Sequence, residues 1–142
     1  MPTDKQRTAR ILIVEDEAMI ALVLEDVLID AGFEIAGVVR NLDKALALIE
    51  SGACDAAIVD SNLAGVSASP AAIALAARSL PFIMMSGYSK EQMLGEYPRA
   101  FFLSKPCRPE LIIETLKSIL LEAQSVVVTG LQIGKVHNRE CQ

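Results

Sequence analysis

The sequence predicts an α/β protein built on a doubly wound, five-stranded parallel sheet. The first indication is five short apolar runs, "RILIVE" (10–15), "EIAGVVR" (34–40), "DAAIVD" (55–60), "PFIMMS" (81–86) and "AFFLS" (100–104). The second is that these runs do not alternate apolar with polar residues, so both faces of each strand are expected to be covered, as in a parallel sheet between helices. The third is that helical patterns separate them, and strand–helix alternation of this kind gives right-handed crossovers.

Each helix carries its own punctuation. Residues 17–31 place Ile20, Leu24, Val27 and Leu28 at spacings of three and four, and Gly32 supplies the stop. Asn41 caps a second helix that runs to about Ser51 before Gly52. "SASPAAIALAARS" (67–79) and "RPELIIETLKSILLEA" (108–123) carry Pro70 and Pro109 where a first helical turn accepts proline. "SKEQMLGEYP" (89–98) contains Gly95 and Pro98, which leave room only for a short or irregular helix. One domain is therefore expected over 9–123, with 124–142 as a tail and no second domain. In the tail "VVVTG" is β-prone and "KVHNRECQ" is polar, and the tail could add an edge strand, make a dimer contact or remain loosely held.

Composition narrows the function. A content of 52% hydrophobic against 22% charged residues excludes a disordered chain. A net charge of −5 without a basic cluster argues against direct nucleic-acid binding, which needs grouped Lys and Arg. No apolar run reaches a membrane span of about 20 residues, and the polar start "MPTDKQRTAR" lacks a secretory signal, so a cytoplasmic protein is expected. Cys54, Cys107 and Cys141 are widely spaced and read as free thiols. His137 has no neighbouring ligands and reads as a solvated tail residue.

The candidate chemistry sits at strand ends. Glu15 and Asp16 end the first strand, Asp60 the third and Ser86 the fourth, and Lys105 follows the fifth. In a doubly wound sheet all of these are carboxyl ends, where ligands bind. Two carboxylates about 4 Å apart repel by about 4 kcal/mol near a protein surface, so three of them call for a cation. An oxygen-rich site of this kind suits Mg²⁺, which takes one or two carboxylates and keeps waters for a phosphate substrate. An aspartate is a competent nucleophile toward phosphorus when the transferring oxygens are neutralised, here by metal, the Lys105 ammonium and the Ser86 hydroxyl. For Glu17 the simpler reading is the acidic start of a helix.

In "LIVEDE", "IVDSNLAG", "MMSG" and "LSKP", taken in that order and at strand ends, the chain resembles the receiver domain of two-component response regulators, of the single-domain type. The resemblance covers roughly residues 9–123 and implies the flavodoxin-like (βα)5 receiver fold. It implies Asp60 as the acceptor of a phosphoryl group from a histidine kinase or phosphotransfer protein. Mg²⁺ would be held by Glu15, Asp16, Asp60 and the Asn62 carbonyl. Lys105 would pair with the phosphoryl group, Ser86 would move toward it, and Phe102 would be the switch aromatic. The Lys105–Pro106 peptide is expected to be cis. The resemblance further implies no enzyme beyond self-phosphorylation and dephosphorylation, and a downstream protein effector that the sequence does not name.

The stretch from Ser86 to Lys105 is shorter than is usual in that family, which puts a standard output face in doubt. The run "PFIMMSGY" (81–88) is similar to that of a subset of single-domain receivers linked to bacterial stress signalling. The alternative is a metal-dependent phosphohydrolase with an Asp nucleophile, which wants an acid or base two residues later, where this chain has Asn62. A flavin or nucleotide binder wants a phosphate-cradling loop where this chain has "EDE".

Overall fold

The computed structural model describes residues 8–87, 100–129 and 137–139. The strands are β1 (Arg10–Val14), β2 (Glu34–Val39), β3 (Ala56–Asp60), β4 (Phe82–Ser86), β5 (Ala100–Ser104) and β6 (His137–Arg139). The helices are α1 (Ala18–Asp30), α2 (Leu42–Glu50), α3 (Ser69–Ala77) and α4 (Pro109–Thr129). A two-residue antiparallel ladder, Asn62–Leu63 against Val66–Ser67, links β3 to α3.

All sheet pairings are parallel, in the order β2-β1-β3-β4-β5-β6. The predicted five-stranded sheet is therefore present, extended by a short sixth strand from the tail. The order reverses between β1 and β3, which opens the crevice where a doubly wound sheet binds its ligand.

The two-residue period of the strands divides the core. Leu12, Val14, Val59, Phe82 and Met84 pack with Ile49, Ala72 and Leu75 on the α2–α3 face. Ile11, Ile13, Ile58, Ile83 and Leu103 pack with Leu24, Leu28, Ile112 and Leu116 on the α1–α4 face. Both faces are thus buried, which is why the strands read as continuous apolar runs.

The predicted helix signals operate locally. The Asn41 side chain accepts a hydrogen bond from the Lys44 amide at 3.0 Å. Gly32, at φ +97°, follows α1 in a conformation that a side chain rarely adopts. Pro70 falls in the first turn of α3.

Two readings are revised. The "VVVT" segment is helical, because α4 continues past residue 123 to Thr129. Its valines cost a helix only tenths of a kcal/mol each relative to Ala, roughly 0.5 apiece, and no Gly or Pro interrupts the sequence before Gly130. The edge strand that the tail could add is present at His137–Arg139. Cys54 is a buried free thiol, but Cys107 is disulfide-bonded, since sequence spacing does not reveal which thiols meet in space. The predicted irregular helix over 89–98 lies outside the described residues.

Candidate functional site

The carboxyl ends of β1 and β3 lie side by side because the two strands pair directly, with Val14 opposite Val59. Glu15 extends β1 by donating its amide to the Val39 carbonyl of β2 at 3.0 Å. Asp60 closes β3, opposite Met85 of β4, so Ser86 lies one residue beyond that pair. Carboxylate oxygens of Glu15, Asp16 and Asp60 come within 4.8 Å of one another. Glu15 and Asp60 are buried, at 2% and 6% exposure, while Asp16 is half-buried.

Lys105 reaches this cluster from the end of β5. Its Nζ stands 3.1 Å from Asp60 Oδ2 and 3.9 Å from Glu15 Oε1. Its amide donates to the Ser86 carbonyl at 2.9 Å, tying the end of β5 to the end of β4. The following Lys105–Pro106 peptide is cis, as expected. Asp60 Oδ1 accepts a hydrogen bond from the Asn62 amide at 3.2 Å. The carboxylate is thus oriented from both oxygens.

Electrostatics reflect the crowding. Burial, reinforced by the Asp60 charge, raises the Glu15 carboxyl from its ordinary 4.5 to about 7, against the opposing pull of the Glu17 amide and of Lys105. Burial pulls the Lys105 ammonium down, but the hydrogen bond and charge of Asp60, together with the Glu15 charge, outweigh this and leave it raised. Three converging hard oxygens, with one carboxyl at odds with its own charge, fit a small divalent cation.

The predicted residues therefore separate into two groups. Glu15, Asp16, Asp60 and Lys105 converge, and Ser86 is attached to them through the Lys105 amide. Phe102 lies buried in the α2–α3 core, opposite Met84. Asn62 contributes its amide to Asp60, while its side-chain Oδ1 accepts from the Gly65 amide at 2.6 Å and so serves the turn. Glu17 stands at the N-cap of α1.

Sequence reading missed Arg40, whose Nη2 donates to the Asp16 carbonyl at 3.0 Å and steadies the acidic turn. Its position directly after β2 was legible, but that β2 lies beside β1 is decided by strand order. Also missed was Ser61, whose buried hydroxyl has no hydrogen-bond partner among the described residues.

The family model of the response regulator receiver domain matches residues 11–117. The chain belongs to the response regulator receiver domain family. It is similar to the phyllosphere-induced regulator PhyR of Methylorubrum extorquens, 31% identical over 119 residues, which cover 81% of this chain and 45% of that one. The chain thus spans about half the length of that curated relative. Among solved structures it is similar to SdrG from Sphingomonas melonis Fr1, at 38% identity and TM-score 0.68, covering 80% of this chain and 97% of that one. It is also similar to the response regulator PhyR from Brucella abortus, at 31% identity and TM-score 0.70, covering 85% of this chain and 52% of that one. This receiver domain is therefore a component of two-component signalling, as a response regulator. Among its described residues no helix is long and apolar enough to cross a membrane.

Proposed function

We propose that this receiver accepts a phosphoryl group on Asp60 from the phosphohistidine of a histidine kinase or phosphotransfer protein and changes its protein contacts in response. The observation that carries the reading is the convergence of Glu15, Asp16 and Asp60 with the Lys105 ammonium 3.1 Å from Asp60.

In the transfer, an Asp60 carboxylate oxygen forms a bond to phosphorus as the phosphorus–nitrogen bond of the donor breaks, and the electron pair leaves with the imidazole. The Asn62 amide and Lys105 orient the Asp60 carboxylate for this step. Lys105 also offsets charge on the transferring oxygens. Glu15, Asp16 and Asp60 would hold Mg²⁺, which when bound neutralises a further phosphoryl oxygen. After transfer the Ser86 hydroxyl and Lys105 would make charge-assisted hydrogen bonds to the new dianion, and Phe102 would respond to that movement. The Asn62 backbone carbonyl, two residues after Asp60, would complete the metal's ligands. The reading carries with it a cytoplasmic location, where kinase and phosphodonor reside.

The phosphohydrolase reading lacks its second acid or base, because Asn62 occupies that position and is engaged in the turn. Incubation with Mg²⁺ and a small phosphodonor, followed by intact mass, is expected to add one labile phosphate to the parent and none to Asp60→Asn. Equal labelling of both proteins would overturn the proposal.

A further inference from the structure

Among the described residues, β5 would be the outer edge of the sheet without β6, with its outward amides and carbonyls unpaired. The tail strand covers that edge, pairing His137 with Phe101, Asn138 with Phe102 and Arg139 with Leu103. From its other side β5 is held by β4, in a register that ends at Ser86 opposite Ser104. Lys105 follows immediately, with its amide on the Ser86 carbonyl and its ammonium on Asp60. The strand that delivers the ammonium is therefore pinned from outside, two residues before Lys105.

We propose that the tail strand His137–Arg139 is a strap that holds β5 in its unphosphorylated arrangement, so that strap docking and phosphorylation of Asp60 oppose each other. The proposal rests on Asp60 as phosphoacceptor. A phosphoryl group places new oxygens between Asp60 and Lys105, which now stand at hydrogen-bond distance. Admitting them displaces the Lys105 ammonium from Asp60; in the proposal that movement is passed to the Lys105 end of β5, and the strap's backbone pairing resists it. A three-residue strand is at the short limit of strand lengths and opens more readily than the core strands beside it. The coupling is reciprocal: whatever factor the strap imposes on phosphorylation, phosphorylation imposes on the strap.

The test uses the full chain and its Asn138→Pro, Arg139→Pro and Asn138→Ala variants, with beryllofluoride and Mg²⁺ as the phosphoryl mimic. Successive amides of a strand face opposite sides, so one of the two proline substitutions removes a donor aimed at β5. That variant is expected to raise amide exchange at Phe101–Leu103 and to bind beryllofluoride at least about fivefold more tightly, the low end of allosteric coupling. Asn138→Ala keeps its amide and is expected to match the parent. Unchanged exchange in both proline variants would show that no strap is docked, and raised exchange with unchanged affinity would show that it is uncoupled; either overturns the proposal. Absence of beryllofluoride binding in every protein would instead overturn the assignment of Asp60.

Discussion

Glu15→Gln tests the electrostatic reading of the site most directly. Gln reproduces the shape of the neutral acid, and its side-chain carbonyl can still accept the hydrogen bond that Glu15 takes from the Glu17 amide. In the folded protein Glu15 is raised to about 7 from an ordinary 4.5. At roughly 1.4 kcal/mol per pKa unit, ionised Glu15 costs the metal-free fold up to about 3 kcal/mol. Because the folded-state value lies above the unfolded one, the native chain binds the extra proton. The stability associated with that proton is complete below pH 4.5 and is lost as pH rises to about 7. Urea unfolding in EDTA across pH 4.5 to 8 is expected to show the parent falling relative to Glu15→Gln by up to about 3 kcal/mol. Saturating Mg²⁺ should flatten the difference, since a cation favours the ionised carboxylates. Parallel stability curves for parent and variant in EDTA would refute the reasoning.

Lys105→Met removes the cation nearest both buried carboxylates. Phosphodonor labelling is expected to slow by about 10²- to 10³-fold, the usual effect of losing one preorganised charge-stabilising donor. The same variant should move the Glu15 titration upward, because Lys105 now holds it down; the pH series above reads that shift. Asn41→Ala, away from the site, loses the cap on Lys44 and should cost about 1 kcal/mol in urea melts while leaving labelling unchanged.

The sequence by itself determined the strand–helix alternation, the cap at Asn41, the stop at Gly32 and the first-turn proline at Pro70. Each depends on the residue and its immediate neighbours, through side-chain period, backbone dihedral or a hydrogen bond a few positions away. The functional ensemble was legible one step further out, because strands that are all parallel bring their carboxyl ends to one edge, and Glu15, Asp16, Asp60, Ser86 and Lys105 all sit at such ends. Tertiary structure decided what those rules leave open. Strand order alone set Asp60 between the β1 acids and Lys105, and strand order also delivered Arg40 to the Asp16 carbonyl. The valines after Gln124 favour strand in isolation, yet they extend α4, since a growing helix adds one hydrogen bond per residue once its costly nucleus exists. The pairing of residues 137–139 with β5 is a contact between distant segments, and no local propensity encodes which distant partner a segment will meet.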